Sequence, residues 1–238
     1  MSLPRFVLPF AGQPAENAIL PLEPEQARHL SVLRLQPGDA LELLLPSGPW
    51  KADLAELGKR GASARLVAPL EEEREPPIPI QACLPITAQL SLWDEWLPGV
   101  VELGATLIQP VVYARSQYEA RKTALKLERW RRIVMTACEQ SHRNAIPELR
   151  DPIPFEALPG WEAPQKWVAF ELRTGEANPV LRREGIAFTQ GPEGGITEEE
   201  FEVLSRSGWA PVSLGSSILR AVTCPAAILG AIQFELGR

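Results

Sequence analysis

The 238-residue chain is 45% hydrophobic and 23% charged, which excludes a disordered or low-complexity protein and leaves room for one large or two small domains. Its net charge of −6 speaks weakly against a nucleic-acid partner, although local patches matter more than the sum. Three cysteines far apart and two histidines give neither a disulfide framework nor the ligands of a zinc site, so no metal is expected. No apolar run has the length of a membrane span, and the opening MSLPRFVLPF lacks a basic region ahead of a signal-peptide core. A cytoplasmic protein without a membrane partner is therefore expected.

The first third reads as mostly β. RFVL is a short strand, and LEPEQARHLSVLRL is a helix with Pro24 in its first turn and Leu30 and Leu33 on one face. PGD turns the chain. ALELLL, PWKADLAEL and GASARLVAP are strands, the first two joined by the turn PSG. LEEEREPPIP then combines a charge run with a proline cluster, which places a domain boundary near residue 73, with domains at 1–73 and 74–238.

Beyond the boundary, strands and helices alternate. The expected strands are IPIQACLPI, TLIQPVVY, KWVAFEL, IAFTQ and APVSL. Such alternation predicts an α/β domain with a parallel sheet covered on both faces. In open sheets of this kind ligands sit beyond the carboxyl ends of the strands. Three late strands end in candidate ligand loops, ELRTG, GPEGGIT and GSSILR, which are expected to converge in one crevice.

In the second loop Gly191, Gly194 and Gly195 admit backbone conformations closed to other residues and a close approach to a ligand. Thr197 and Glu200 form a capping box, so a helix starts at 196–197. A plain strand-to-helix turn without a ligand is the bland alternative. A nucleotide phosphate loop is excluded, because the Lys–Ser/Thr pair is absent, and the G-x-G-x-x-G spacing of dinucleotide sites is absent too. In the third loop Pro225 predicts the start of the last helix at 223–225, capped by Thr223 or Cys224. That leaves GSSILR as a loop, in which Ile218 and Leu219 either meet a flat apolar ligand or plug the core. The last helix, AAILGAIQFEL, is apolar almost all round and is expected to be buried in the core or against a second subunit.

Between the second and third expected strands lies EARKTALKLERWRRIVMTACEQSHRNAIPEL. Leu127, Trp130, Val134 and Ala137 share one helical face, and Lys122, Lys126 and Arg129 share an adjoining one. The helix is expected to end near Gln140. A basic face followed by Arg143 and Asn144 in a loop suits a phosphate backbone and a base edge; a solvated surface face is the alternative.

ACEQSHRNAIPEL, GPEGGITEEEF and LGSSILRAVT, in this order and together with HLSVLRLQPGD and ELGATLIQPV, resemble the bacterial RsmE family over nearly the whole chain. Members of that family place a methyl group on N3 of a uridine in 16S ribosomal RNA. The resemblance implies an N-terminal PUA-like small β-barrel that binds RNA and a C-terminal SPOUT α/β domain with a deep trefoil knot. It also implies S-adenosyl-L-methionine as methyl donor, 16S rRNA or the small ribosomal subunit as partner, and a homodimer through the SPOUT domain. Leu172, Gly191, Glu193, Gly194, Leu214, Gly215, Ser217, Ile218, Leu219 and Thr223 are the implied cofactor residues. The third loop departs from the family pattern LG-x-R-ILR-x-ET-A, with Ser217 for the first arginine and Val222 for the glutamate. AQLSLWDEWLPGVVELG likewise carries Trp93, Asp94, Trp96 and Pro98 where the family tends to have lysines.

Uracil N3 becomes a nucleophile only after losing its proton, and negative charge then spreads to the ring oxygens. A fixed cation or amide beside them lowers that barrier. Arg220 is the first candidate, followed by Arg143 and Asn144; Glu193 or Glu139 is the candidate base. Arg5, Arg28 and Arg34 of the first domain, with Lys122, Lys126, Arg129 and Arg143, are candidate RNA contacts. The departures keep two other readings open: a cofactor-binding RNA-binding protein with weakened or lost catalysis, and a related methyltransferase with another RNA target.

Overall fold

A computed structural model describes residues 3–58, 61–170 and 177–237, and its contacts divide the chain into two units. The first comprises Met1–Glu75 together with Cys138–Ala145; the second comprises Pro76–Ala137 and Ile146–Arg238. The division falls after Glu75, where the sequence placed a boundary near residue 73. Residues 138–145 join the first unit although they lie far along the chain.

The first unit is built on β1 (Arg5–Val7), β2 (Ile19–Leu22), α1 (Pro24–Val32), β3 (Ala40–Leu45), β4 (Gly48–Gly58) and β5 (Gly61–Pro69). The strands form one sheet in the order β1-β3-β4-β5-β2, with β1 parallel to β3 and the other pairs antiparallel. Alternate side chains of β3 to β5, among them Leu41, Leu43, Ala52, Leu54, Ala64 and Leu66, turn into one core with Leu30 of α1. Period-two patterning makes those strands readable. β2 is not among the expected strands, because Pro21 interrupts it. Proline is tolerated there because β2 pairs only with β5, at the sheet edge.

Helix α1 has Pro24 in its first turn and a capping box between Glu23 and Gln26. It stops one residue before Leu33, and Arg34 then takes the left-handed conformation at φ 59°. Leu33 is consequently exposed and does not share the buried face of Leu30 as expected.

The second unit holds β6 (Ile80–Pro85), α2 (Leu92–Glu102), β7 (Leu107–Val112), most of α3 (Ala120–Ser141), β8 (Glu148–Leu149), β9 (Ile153–Pro154), β10 (Gln165–Ala169), β11 (Ile186–Thr189), α4 (Glu198–Arg206), β12 (Ala210–Val212) and α5 (Cys224–Glu235). Its sheet runs β12-β10-β11-β6-β7-β8, with β9 also on β7, and every pair is parallel. The two-residue strands β8 and β9 are too short to show periodicity and were not expected. The central strands β6 and β11 are apolar on both faces, as a covered parallel sheet requires.

Leu127, Trp130, Val134 and Ala137 of α3 are all buried. Trp93 of α2 stacks on Trp130 at 4.5 Å between ring centroids, and Trp96 meets Trp93 edge-on at 5.2 Å. The tryptophans that stand where the family tends to have lysines are therefore core residues here. Among the described residues no helix is long and apolar enough to cross a membrane.

Candidate functional site

The carboxyl end of the sheet is tied by side chains. Thr189, the last residue of β11, donates to the Cys83 carbonyl at 2.7 Å, and its hydroxyl lies 2.6 Å from that of Tyr113. Burial pushes the Tyr113 phenol up from its ordinary range, so it stays neutral and serves as a hydrogen-bonding strut. The next residue, Gln190, is almost wholly buried. Its Nε2 donates to the Ala221 carbonyl at 2.8 Å and so links the second loop to the third, while its Oε1 has no hydrogen-bond partner among the described residues.

Gly191 opens the second loop. A Cβ there would lie 2.7 Å from Gly195 C and Ile196 N, both backbone atoms that cannot give way. Gly195 at φ 75° closes the turn in the left-handed region, and its N–H donates to the Pro192 carbonyl at 2.8 Å. Helix α4 then starts at Glu198 behind Thr197. Thr197 Oγ1 accepts from Glu200 N at 3.1 Å, and Glu200 Oε2 accepts from Thr197 N at 2.9 Å, which is the expected capping box. The exposed Glu193 accepts from Ala88 N at 3.4 Å, so its carboxylate is drawn toward the end of β6. Gly191→Ala is expected to lose cofactor affinity at least tenfold and to lower the melting temperature, since the loop backbone must open to admit the methyl. Calorimetry and thermal unfolding of the purified variant check this.

The third loop is a loop, as Pro225 predicts. Gly215 sits at φ 123°, and Ser217 and Ile218 are exposed, Ile218 to 85%, so Ile218 does not plug the core. Leu214 and Leu219 are half-buried. Thr223 holds the N-cap position of α5, but its side chain makes no capping hydrogen bond. The carbonyl of Arg220 instead accepts from Thr223 N at 2.9 Å and Cys224 N at 3.1 Å, and the Arg220 side chain is exposed. Leu172, in the first loop, lies outside the described residues.

Several expected contacts need correction. Arg5, an expected RNA contact, is 4% exposed: Nε donates to Glu42 Oε2 at 2.7 Å and Nη1 to the Arg143 carbonyl at 2.6 Å. Arg143, expected to serve RNA or catalysis, is 4% exposed and is held by both carboxylate oxygens of Glu75. Asn144 donates to the Glu72 carbonyl at 2.6 Å, and its backbone N–H to Glu75 at 2.8 Å. Glu139 accepts from Val7 N at 2.8 Å, and burial raises its carboxyl above the usual range. Arg5 and Glu139 fasten segment 138–145 to β1, and Arg143 and Asn144 fasten it to residues 72–75. Burying the two guanidinium charges is tolerable because Arg5 is paired with Glu42 and Arg143 with Glu75. His142, at φ 57°, places Nδ1 2.9 Å from Glu42 Oε2. Burial by itself raises the Glu42 carboxyl, but hydrogen bonds and charge from His142 and Arg5 outweigh it and hold Glu42 below the usual carboxylate range. Sequence reasoning missed Glu42, Glu72 and Glu75, since nothing local marks a carboxylate as the partner of a residue 37 to 100 positions away.

Of the basic face on α3, Lys122 pairs with Glu119 at 2.6 Å and Arg129 with Asp94 at 2.9 Å. Lys126 has no ion-pair partner among the described residues; nor do the exposed Arg28 and Arg34 of the first unit.

Residues 74–233 match the family of RNA methyltransferase domains, and residues 22–67 match that of RNA methyltransferase PUA domains. A ribosomal RNA small subunit methyltransferase E of a Synechocystis species is 34% identical, over 91% of this chain and 73% of its own length. The Bacillus subtilis protein of the same name is 28% identical, over 97% and 96%. The crystal structure of a ribosomal RNA small subunit methyltransferase E from Neisseria gonorrhoeae bound to S-adenosyl methionine superposes with a TM-score of 0.85, at 32% identity and 98% coverage of both chains. With its glycine loop, its tethered third loop and these relatives, the chain belongs to the ribosomal RNA small subunit methyltransferase E family.

Proposed function

We propose that this protein transfers a methyl group from S-adenosyl-L-methionine to N3 of a uridine in 16S rRNA. The observation that carries the reading is the joined pair of loops at the sheet's carboxyl end, where Gln190 ties the glycine loop to Ala221, in a chain of this family. The residues present fit the cofactor. The glycine loop is too close-packed at Gly191 for any side chain, Gly215 leaves backbone open to a ligand, and Gln190 Oε1 is a buried acceptor without a partner among the described residues. Gly191, Glu193, Gly194, Leu214, Gly215, Ser217, Ile218, Leu219 and Thr223 would line its site.

The cofactor, when bound, supplies an electrophilic methyl group on a sulfonium. The chain's own part is alignment, desolvation and charge. Rigid loops fix the acceptor in line with the donor, which supplies much of the acceleration in a displacement of this kind. The half-buried Leu219 and the exposed Ile218 offer an apolar wall for a flat ring. The exposed Arg220 stabilises the negative charge that grows on the uracil oxygens as N3 loses its proton. Glu193 is the carboxylate placed to accept that proton. Arg28, Arg34 and Lys126 contact RNA phosphates; Arg5, Arg143 and Asn144 organise the first unit instead.

The first unit serves as a PUA-like barrel for RNA, and the second is threaded as a deep trefoil knot. The sheet order supports the knot: β11 returns between β10 and β6, and β12 passes to the far side of β10. A second copy of the chain covers α5. Ile228, Leu229 and Ile232 of α5 are buried, yet Ala227, Gly230, Ala231 and Phe234 form another apolar stripe, with Phe234 80% exposed. Phe234→Glu is expected to convert a dimer at micromolar concentration into a monomer in sedimentation velocity; a parent already monomeric there would refute the dimer.

The test of the function is methyl transfer by the purified protein to small-subunit rRNA or subunits, with mass spectrometry of the digested nucleosides. Methylation at N3 of uridine supports the reading. Methylation elsewhere indicates another target, and cofactor binding without transfer indicates a protein that has lost catalysis through Ser217 and Val222.

A further inference from the structure

A turn with an unusual number of anchors carries an arginine to the edge of the glycine loop. The chain leaves β7 through residues 113–116. Tyr113 N donates to Ser116 Oγ at 3.1 Å, and Ser116 Oγ donates to the Ile86 carbonyl at 2.6 Å. Ala114 N donates to Glu200 Oε1 at 2.7 Å, and Glu200 is the same buried carboxylate that caps α4. The residues on either side of Arg115 are thereby anchored. Its stem lies along Gly194, with Cβ and Cδ 3.3 Å from where a Gly194 Cβ would stand, and Nη1 donates to the Gly194 carbonyl at 2.6 Å.

This guanidinium makes no other hydrogen bond among the described residues. Among the described residues no carboxylate pairs with Arg115, and the side chain is exposed. A guanidinium held along one edge keeps other N–H groups in a fixed fork, the geometry that suits a phosphate. Two residues shortly after it in the chain match an unpaired nucleic-acid strand. Tyr118 is 39% exposed, and Arg121 is an exposed cation without an ion-pair partner among the described residues. Cations spaced around an exposed aromatic ring favour single-stranded nucleic acid, because phosphates follow the charges while a base stacks on the ring. A cofactor carboxylate would also satisfy Arg115, but it would give Tyr118 and Arg121 no task.

We propose that residues 115–121 form the seat for the single-stranded RNA segment that flanks the methylated nucleotide. Arg115 and Arg121 bind its phosphates, and Tyr118 stacks on a base. This rests on the function proposed above, and it supplies at the second loop a cation that the third loop lacks at Ser217.

The experiment measures three quantities for the full-length protein: cofactor affinity by calorimetry, RNA affinity by fluorescence polarisation with a labelled small-subunit rRNA fragment, and saturated methylation rate. Arg115→Ala is expected to weaken RNA binding about tenfold, the size of one charged hydrogen bond, and to flatten its salt dependence by about one counterion. Cofactor affinity and melting temperature should stay within twofold and two degrees or so. Arg115→Lys should recover part of the loss, having the charge without the fork. Tyr118→Ala should weaken RNA binding about five- to tenfold, and Tyr118→Phe should not, since a phenyl ring stacks as well. Loss of cofactor affinity in Arg115→Ala with RNA binding unchanged would overturn the proposal, placing the cation on the cofactor or in the loop's scaffold. RNA binding unchanged in both alanine variants would reduce the segment to solvated surface. A parent that binds RNA through these residues but transfers no methyl would sink the enzymatic reading and leave the RNA seat standing.

Discussion

Arg220→Ala is expected to cut the saturated rate of methylation about a hundredfold, while cofactor affinity changes by less than about twofold. The argument is one of charge. When the methyl leaves a sulfonium it leaves a neutral thioether, so the donor side gains nothing from a cation. The uracil side accumulates negative charge as N3 loses its proton, and a donor aimed at such charge is typically worth roughly 3 kcal/mol. Arg220 is suited to that task. Its carbonyl is fixed by Thr223 N and Cys224 N at the first turn of α5, its side chain is exposed, and no carboxylate among the described residues neutralises it. Lys126→Ala is the control. It should weaken RNA binding and flatten its salt dependence by about one counterion without touching the saturated rate. Single-turnover methylation across RNA concentration and salt separates the two. An Arg220→Ala variant with the full saturated rate and weaker RNA binding would make Arg220 a phosphate contact.

Arg5→Leu is expected to destabilise the first unit by about 3 kcal/mol, because it leaves the buried Glu42 carboxylate with only His142 and the more distant Arg74. Arg5 has no exposed side-chain surface and Glu42 very little, so water cannot take over the lost hydrogen bonds. The same cluster sets a pH dependence. The Glu42 carboxyl is held below its ordinary value in the folded state by His142 and Arg5, burial notwithstanding. Its contribution is therefore complete above the unfolded carboxyl's pKa, around 4.5, and is lost as pH falls through the lower folded value. Stability of the parent should drop on that acid side, and Glu42→Gln, less stable at neutral pH, should show a shallower drop. Hydrogen exchange in β3 and β4, followed against pH and urea, reads the first unit alone. Protection in Arg5→Leu within about 1 kcal/mol of the parent would mean that the ion pair is dispensable.

What the sequence by itself determined rests on interactions between residues close in the chain. Thr197 with Glu200 and Pro225 each mark a helix start within a single turn, and α4 and α5 begin where these residues say. Alternating leucines and alanines define β3 to β5 because the pleat repeats every two residues, and the apolar face of α3 follows from the helical repeat. The glycine loop was legible as a place of close backbone approach, though not that Gly191 packs on Gly195 and Ile196. The rest was decided by partners far apart in the chain. Arg5 and Arg143 read as free cations, the usual state of a surface arginine, until folding brings Glu42 and Glu75 to them across 37 and 68 residues. Segment 138–145 reads as the end of a helix and the loop that follows, and only hydrogen bonds to Val7, Glu42, Glu72 and Glu75 assign it to the first unit. Arg115 showed no local mark of function, since its position depends on Ile86, Gly194 and Glu200, which three other parts of the fold supply. Backbone propensity and periodicity act over a few residues and survive in the sequence; charge pairing and loop convergence act through space, and only the closed tertiary structure selects which groups meet.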